Sequence, residues 1–430
     1  MAFWKNYPNR LKILLLFLVC LQFYKAIEYR QENVTNFGCE ICADKSGYYI
    51  YLPIWFNYGV DSADMPELVR QRTRERFENE LAPGKTFTKF SSGVALMLSP
   101  FYAAANFRHQ VFGRVHANPI SVNYRSYTNF GTALYITLAF LCLFLLLRKR
   151  FGDGPALLSI LFIYFGTSLR YYTEDESLMS HVYSFCLFAW SWFFLEKALL
   201  TRKKTGLILF ALFASWAVLI RPTNIIGIPL VLSLAIPLSS WKTEFPFLLR
   251  SSLWLLIPAF LIWIPQLVYW KMTTGNWLVY SYLDEGFHRW KDPAFNEQWF
   301  AANSGILAYT PAFILVPLGL AGLVWKQGKQ HAPLLISFLL CVYLFAIWWA
   351  KGFGTCNFGY RPMVEFTALW IMGIAWAISE LTKLRTGLQF IVAGFVLLCL
   401  VYTNHIYWRF DSCFSGGDWD YALFLQEYFS

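Results

Sequence analysis

The 430-residue chain is 57% hydrophobic, 20% aromatic and only 14% charged. A soluble domain is usually about 45–50% apolar and about 25% charged, whereas a membrane helix needs roughly 20 mostly apolar residues. The composition therefore excludes a soluble enzyme and a single-pass receptor. The net charge of +10 is typical of Lys and Arg on cytoplasmic loops that face anionic lipids, and no basic stripe with interleaved aromatics indicates nucleic acid.

The apolar runs predict an all-α polytopic membrane protein, a single transmembrane domain over residues 1–430 with about eleven transmembrane helices. The first run follows basic residues and lacks a small-residue cleavage pattern, which predicts an uncleaved helix with its N-terminus in the cytoplasm. The runs lie at 13–24, 132–147 and 156–169, in a return span that ends before Arg202, and at 206–220, 225–237, 253–269, 305–324, 333–349, 363–378 and 388–401. Basic groups such as Arg148–Arg150 follow alternate spans, so the C-terminus is predicted to lie outside.

Three polar segments are predicted to lie on the non-cytoplasmic side. The first outer loop, 30–130, is too long for a simple connector. It holds a charged helical stretch at 65–81 and an apolar stretch at 90–107, which we expect to lie in the membrane interface as a helix. The others are a long loop at 271–304 and the C-terminal tail at 406–430.

Nine cysteines are scattered along the chain. Five of them lie inside apolar runs, where Cys behaves as a small hydrophobic residue: Cys20, Cys142, Cys186, Cys341 and Cys399. The loops carry Cys39, Cys42, Cys356 and Cys413. Without a second CxxC or nearby histidines a zinc site is disfavoured, and in an oxidising compartment disulfides of undetermined pairing are expected instead.

Ionisable side chains collect at the predicted outer ends of the helices. Each costs about 2.5–3.5 kcal/mol at membrane depth on insertion scales, so such groups usually mark function or a required pair. The group comprises Asp44, Lys45, Lys89, Glu174, Asp175, Glu176, His181, Arg221, Asp284, Glu285, His288, Lys351, Arg361 and Glu365. Both signs of charge on one predicted face indicate a reaction on an anionic, lipid-borne substrate.

The order of short motifs resembles the GT-C class of membrane glycosyltransferases, which includes the protein O-mannosyltransferases and the aminoarabinose and related lipid-modifying transferases. The motifs are ADKSGYYIYLP at 43–53, TKFSSGVALMLSPFY at 88–102, EDESLMSHVYSF at 174–185, RPTN at 221–224, SYLDEGF at 281–287 and WWAKGFGTCNFGYRPMVEF at 348–366. Each motif alone is weak, and together they cover nearly the whole chain.

This resemblance implies a GT-C-like fold and an inverting transfer of sugar from a polyprenyl-phosphate donor on the outer face. It implies that Asp44 is the general base, because the family carries an acidic residue just after its first helix. Many relatives have a second acid where this chain has Lys45, so no metal and no cofactor are predicted. The alternative for Asp44 is an ordinary turn or helix-cap aspartate.

By the same resemblance Lys89 contacts the donor phosphate, with a lysine that anchors an interfacial helix as the alternative. Arg221, before Pro222, and Arg361 are also predicted to bind phosphate, since guanidinium groups give bidentate contacts to it. A helix-terminal or headgroup-anchoring role is their alternative. Sugar or acceptor contacts are predicted for Glu174, Glu176, His181, Asp284 and Glu285. The alternative for the carboxylates is a solvated loop, and for His181 it is a helix-start residue whose partners are the neighbouring carboxylates.

The predicted function is therefore a hexosyl- or pentosyltransferase that acts on an acceptor hydroxyl of a lipid, glycan or protein. It is expected to be a multi-pass protein of the plasma or inner membrane with its site on the outer face. The alternative is a transporter or lipid flippase, which predicts charges near the bilayer midplane and paired half-repeats. A non-catalytic scaffold whose outer loops bind a partner is a further alternative.

Overall fold

The computed structural model describes residues 19–24, 41, 43–67, 69, 80–112, 118–351, 356–411 and 413–430. Throughout these ranges the regular structure is helical, and extended residues pair only at two isolated bridges, Asp61 with Lys85 and Phe287 with Trp348. The all-α prediction is confirmed. The CxxC at Cys39 and Cys42, and most of the charged stretch predicted as a helix at 65–81, lie outside the described residues.

Helices α1 to α19 follow one another in chain order. They are Asp44–Tyr49 (α1), Tyr51–Pro53 (α2), Gly93–Val111 (α3), Val122–Phe151 (α4), Asp153–Gly166 (α5), Leu169–Glu174 (α6), Ser180–Thr201 (α7), Lys204–Ile220 (α8), Gly227–Ala235 (α9), Trp241–Arg250 (α10), Ser252–Leu261 (α11), Ile264–Thr274 (α12), Phe295–Phe300 (α13), Ile306–Tyr309 (α14), Leu315–Gln327 (α15), Ala332–Ala346 (α16), Thr367–Leu381 (α17), Thr386–Arg409 (α18) and Tyr421–Phe429 (α19). Single 3₁₀ turns include Pro222–Ile226, Pro311–Ile314 and Arg361–Met363, and Ile54–Tyr58 is a π-helical turn.

Four of the described helical segments are long and apolar enough to cross a membrane, which indicates an integral membrane protein. They are Asn123–Phe151, Ser252–Thr274, Lys329–Ala346 and Thr386–Arg409. A fifth is added if Pro222–Ala235 and Leu238–Arg250, bent by 83° at their junction, form one broken span. Four shorter apolar helices of 10–17 residues accompany them. The total of about eleven spans remains a prediction.

The chain divides into two compact units. Unit 1 comprises the described part of residues 1–141 together with 172–183 and 266–279, and unit 2 comprises 142–171, 184–265 and the described part of 280–430.

Unit 1 is held together by tyrosine hydroxyls that bond to distant backbone or side-chain oxygens. Tyr135 of α4 donates to the carbonyl of Met97 in α3 at 2.7 Å. Tyr102 of α3 donates to Oδ1 of Asn57 at 2.7 Å. Buried tyrosines need such partners, because an unmet hydroxyl in an apolar interior costs free energy. The apolar stretch predicted at 90–107 is therefore a packed helix, Gly93–Val111, with Pro100 inside it.

In unit 2 one end of the helical bundle is basic. Arg150 at the end of α4 bonds to Oε2 of Glu196 at 2.8 Å and contacts the carbonyl of Leu234 at 3.4 Å. Arg202, after α7, makes two bonds to the Glu244 carboxylate, one of them at 2.7 Å. The ends of α4, α7 and α9 thus lie together within unit 2.

Hydrogen bonds and a disulfide join segments of unit 2 where outward spans are predicted to end. Arg170, after α5, donates to Oδ1 of Asn404 near the end of α18 at 2.6 Å. Tyr402 of α18 donates to the carbonyl of Ala308 at 2.9 Å. Further along, Cys356 and Cys413 form a disulfide with their Cα atoms 4.1 Å apart. The sequence left the pairing of the loop cysteines open, and the structure pairs Cys356 with Cys413.

The C-terminal tail contains a helix, α19, that the sequence pattern did not predict. Its neighbouring residue Asp418 accepts the Ala302 amide at 2.7 Å through its carbonyl, and the Asn303 side chain at 2.7 Å through its carboxylate. Aromatic rings pack around Tyr309 within 6.2 Å, centroid to centroid: Phe358, Phe410, Phe424 and Tyr428. The tail is therefore a packed part of unit 2.

Helices α15 and α17 approach closely at two glycines. A Cβ atom on Gly319 would lie 2.6 Å from the carbonyl oxygen of Gly373, and one on Gly373 would lie 2.8 Å from the Leu320 nitrogen. Both obstacles are backbone atoms that cannot rotate aside. Small residues at such contacts let membrane helices pack backbone to backbone.

We predict that Gly319→Leu destabilises unit 2 by about 1–3 kcal/mol, the usual range for overpacking, because the two helices must move apart. Thermal unfolding of the purified protein in detergent measures this as a lower Tm. Gly394→Leu is the matched control, since a Cβ atom at Gly394 of α18 meets nothing within 4 Å. Equal Tm values for both variants would contradict the packing argument.

Candidate active site

Asp44 is the first residue of α1 and is half-buried. The residue before it, Ala43, has φ 52°, a left-handed conformation that a residue with a Cβ adopts only when its surroundings impose it. Ser46 holds this start, because its hydroxyl donates to the Ala43 carbonyl at 2.7 Å. The chain thus turns sharply and presents Asp44 at the beginning of the helix.

The next residue, Lys45, forms a buried ion pair with Glu176. Their Nζ and Oε1 atoms are 2.9 Å apart, and the two residues are 3% and 8% exposed. Glu176 belongs to the turn between α6 and α7. One turn of helix later, Tyr48 donates to the Ser180 hydroxyl at 3.1 Å. Two buried contacts therefore fix α1, and Asp44 with it, against the turn that carries the EDE sequence.

A third segment of unit 1 packs on α1 at Gly47. A Cβ atom there would lie 2.2 Å from the Phe90 ring, so only glycine permits the approach. Thr88 donates to the Gly47 carbonyl at 3.1 Å, and the rings of Tyr48 and Phe90 are 4.5 Å apart. Lys89 stands between Thr88 and Phe90 and is half-buried, with its ammonium 5.4 Å from the Phe90 centroid.

The remaining predicted residues of unit 1 line the turn that pairs with Lys45. Glu174 ends α6 and is buried, and His181 in the first turn of α7 is 1% exposed. The His181 ring contacts Tyr172 edge to face at 5.1 Å. Unit 1 thus brings together the segments of Asp44, Lys89 and the Glu174–His181 group, which are far apart in sequence.

Arg221 belongs to unit 2, where it directly follows α8 and precedes Pro222. Its Nη1 atom lies 3.2 Å from Oε1 of Glu365, which is fully buried. Asn224, two residues after Pro222, donates to the Ser184 hydroxyl at 2.8 Å. Arg221, predicted to bind phosphate, therefore has a carboxylate partner that the sequence did not pair with it.

Arg361 opens a 3₁₀ turn of unit 2 and is half-buried. The preceding Tyr360 is buried and donates to the carbonyl of Phe345 at 2.8 Å, which fixes the backbone before Arg361. Five residues earlier, the disulfide of Cys356 holds the same segment to the C-terminal tail.

Asp284 and Glu285 lie on the long loop of unit 2. Asp284 is exposed, and its carbonyl oxygen is 2.9 Å from Nε2 of His288. The loop is attached by its backbone, since the Trp349 amide donates to the Gly286 carbonyl at 2.9 Å. Asp284 and Glu285 therefore lie on a surface loop of unit 2 that is held in place by backbone hydrogen bonds.

Beside that loop, Lys351 pairs with Glu297 at 3.1 Å. Burial acts to raise the pKa of the Glu297 carboxyl, but hydrogen bonds from its own backbone amide and from the Lys351 ammonium outweigh burial. The pKa therefore lies below its usual value. The ion pair joins Lys351 to α13.

Sequence reasoning missed two buried polar residues of unit 1, Ser92 and Gln266, whose contacts are described below. A signal for Gln266 existed, because it interrupts the predicted span 253–269 at membrane depth, where polar side chains usually have a function. Among the residues described, no three His, Cys, Asp or Glu side chains come close enough to hold a metal ion.

The helical arrangement is similar to that of archaeal oligosaccharyltransferases. The apo crystal structure of the oligosaccharyltransferase from Archaeoglobus fulgidus matches with a TM-score of 0.54 at 14% identity, over 97% of this chain and 57% of that one. Its complex with Zn and sulfate gives 0.56 at 14% identity, over 93% and 53%. The archaeal oligosaccharyltransferase AglB from the same species, bound to an inhibitory peptide and a dolichol-phosphate, gives 0.51 at 13% identity, over 91% and 54%.

At this identity the likeness shows the fold, so the GT-C-like fold predicted from motif order is confirmed. The chain spans a little over half the length of these archaeal proteins. No protein-family model and no curated protein matches the sequence. The narrower mannosyltransferase-like assignment stays a prediction.

We predict that Glu176→Gln destabilises unit 1 by about 3–5 kcal/mol, because it leaves the Lys45 ammonium buried without its carboxylate. Replacing both residues, as Lys45→Met with Glu176→Met, should restore most of the loss, since no buried charge is then left. Denaturant unfolding in detergent measures both. The control is Lys383→Met, which removes an exposed ion pair with Glu380 and should cost at most about 1 kcal/mol. A double variant no more stable than Glu176→Gln would contradict the ion-pair account.

Proposed function

We propose that this protein is a glycosyltransferase that moves a sugar from a polyprenyl-phosphate donor to an acceptor hydroxyl on the non-cytoplasmic face, with inversion. The observation that carries the proposal is the position of Asp44 on a GT-C-type fold. Its helix is fixed by the buried Lys45–Glu176 pair on one side and by the segment of Lys89 on the other. A carboxylate and a cation on fixed segments are what such a transfer requires.

Asp44 is the proposed general base. Its carboxylate accepts the proton of the acceptor hydroxyl as that oxygen attacks the anomeric carbon. The bond between the anomeric carbon and the phosphate oxygen breaks, and its electrons leave with the polyprenyl phosphate. Attack from the side opposite the leaving group inverts the anomeric configuration. The proton on Asp44 then passes to solvent.

Lys89 is the proposed cation at the donor phosphate in unit 1, where it stabilises the charge that develops on the leaving group. For unit 2, Arg221 and Arg361 stay proposed phosphate contacts, each to be tested by its own variant. The Glu365 carboxylate already compensates part of the Arg221 charge, so phosphate binding at Arg221 has to compete with that ion pair.

For the sugar and acceptor we propose contacts from Glu174 and His181, which share the buried turn with Glu176. Glu176 itself is engaged by Lys45, so we assign it a positioning role through that pair. Asp284 and Glu285 remain proposed acceptor contacts on the long loop.

Two features support transfer on the non-cytoplasmic face. The Cys356–Cys413 disulfide joins two segments predicted to lie outside, and disulfides persist in oxidising compartments. In unit 2 the basic residues Arg150 and Arg202 mark the other, predicted cytoplasmic, helix ends.

The similar solved structures support the choice of donor class. One archaeal oligosaccharyltransferase structure contains a dolichol-phosphate, and another is tethered to an acceptor peptide with the NVT sequon. By analogy we propose a lipid-linked donor for this chain. A protein side chain is one of the acceptor classes to test, beside lipid and glycan hydroxyls.

We predict that Asp44→Asn lowers turnover by roughly a hundredfold or more, equivalent to about 2.7 kcal/mol of transition-state stabilisation, because an amide cannot accept the proton. Donor affinity should be largely unchanged. The measurement is transfer of radiolabelled sugar from polyprenyl-phosphate donor to extracted cell-envelope lipid, glycan and protein by the purified enzyme.

The control is Asp64→Asn, which changes an exposed aspartate of the same unit in a 3₁₀ turn. Near-normal turnover in Asp44→Asn would reject the base assignment. A protein that moves labelled lipid or solute across vesicles without forming a glycosidic bond would instead support the transporter or flippase alternative.

A further inference from the structure

Two buried polar groups meet at the start of α3 in unit 1, and each has an atom that no described residue supplies with a hydrogen-bond partner. Ser92 and Gln266 are both fully buried. Among the described residues the Ser92 hydroxyl and the Gln266 Nε2 atom have no hydrogen-bond partner. A buried donor without an acceptor destabilises the fold, so a structure retains it where something else supplies the acceptor.

The orientation of the Gln266 amide is fixed by its other atom. Oε1 accepts the Ser92 backbone N–H at 2.7 Å. The Tyr51 hydroxyl lies 3.3 Å from the same oxygen but gives its one proton to the Phe90 carbonyl at 2.7 Å. The amide oxygen must face the Ser92 N–H, so the amide cannot be flipped. Since Nε2 shares a carbon with that oxygen, its two N–H donors lie beside the same helix start.

The helix start itself favours an anion. Helix α3 runs for 19 residues, has no acidic residue in its first turn, and receives no side-chain cap from Ser92, its N-cap residue. The first backbone N–H groups of a helix have no partner within it, and together with the helix dipole they attract negative charge. The half-exposed residues Lys89–Ser91 lead directly into this start and bring a cation with them.

We propose that the start of α3 is an anion subsite in which the Ser92 hydroxyl and Gln266 Nε2 donate to a phosphate oxygen of the lipid carrier, beside Lys89. This proposal rests on the proposed function for the identity of the carrier. Ser92 and Gln266 are then binding residues for the phosphate that is carried by the donor and left on the product.

The experiment measures equilibrium binding of polyprenyl phosphate, which lacks the sugar, to the purified full-length protein in detergent. Gln266→Glu keeps an oxygen acceptor for the Ser92 amide, but its carboxylate replaces the donor and occupies the anion position. We expect its Kd for polyprenyl phosphate to rise by about tenfold or more, and that of Ser92→Ala by about threefold. Gln266→Met, which carries no buried charge, is the second variant if Gln266→Glu does not fold.

Two matched controls separate this effect from general disturbance. Gln298→Glu changes a fully buried glutamine of unit 2 whose amide atoms also have no partner in the described part of the chain. Ser99→Ala changes a serine of α3 whose hydroxyl donates to the Leu96 carbonyl of its own helix. Both should bind polyprenyl phosphate normally. Uncharged polyprenol serves as the probe for the lipid chain, and its binding should not change in any variant.

Three results would overturn the subsite. Unchanged polyprenyl phosphate binding in both Gln266→Glu and Ser92→Ala would mean that these atoms hold only a buried water. An equal loss for polyprenol would mean that the variants distort the lipid site. Displacement of polyprenyl phosphate by inorganic phosphate at equal concentration would assign the site to free phosphate instead of the carrier. The experiment measures binding and not sugar transfer. Its result therefore tests the anion subsite separately from the proposed glycosyltransferase activity.

Discussion

The candidate site of unit 1 depends on one buried ion pair, Lys45 with Glu176, 131 residues apart in sequence. A buried Lys45 ammonium without the Glu176 carboxylate would be an uncompensated charge. The free-energy cost of burying it exceeds the free energy that a short helix such as α1 gains by forming on its own. Helix α1 and the turn after α6 are therefore stable only together. Asp44 directly precedes Lys45, so the same pair fixes the backbone that carries the proposed base.

A glycine supplies the second constraint. At Gly47 the Phe90 ring occupies the space of a side chain, which brings Thr88 within hydrogen-bonding distance of α1. Lys89 lies between Thr88 and Phe90 in the sequence, so the same contacts place its backbone beside α1. A carboxylate and an ammonium are thus carried on segments whose backbones are fixed by buried contacts, and this preorganisation is where enzymes gain most of their electrostatic stabilisation.

Hydropathy predicted the long helices because a run of apolar residues can be recognised in the sequence without knowledge of the fold. The run at 206–220 is the helix Lys204–Ile220, and 333–349 is Ala332–Ala346. The same reasoning missed Trp241–Arg250 and Tyr421–Phe429, which are short and mix polar with aromatic residues. It also joined 305–324 into one span, whereas the structure has a 3₁₀ turn at Pro311–Ile314, since proline removes a backbone donor.

Motif order directed attention to Asp44 and Lys89, but the partners of charged groups could not be predicted, because pairing is a property of the fold. Glu365 lies 144 residues from Arg221, and Gln266 lies 174 from Ser92. These two cases differ in kind. The positive charge of the Arg221 guanidinium is partly compensated by the Glu365 carboxylate. Backbone N–H groups, the Ser92 hydroxyl and the Gln266 amide are neutral hydrogen-bond donors at every physiological pH. For a phosphate that must bind, react and leave, neutral donors at the start of a helix hold it firmly without the desolvation of a further buried cation.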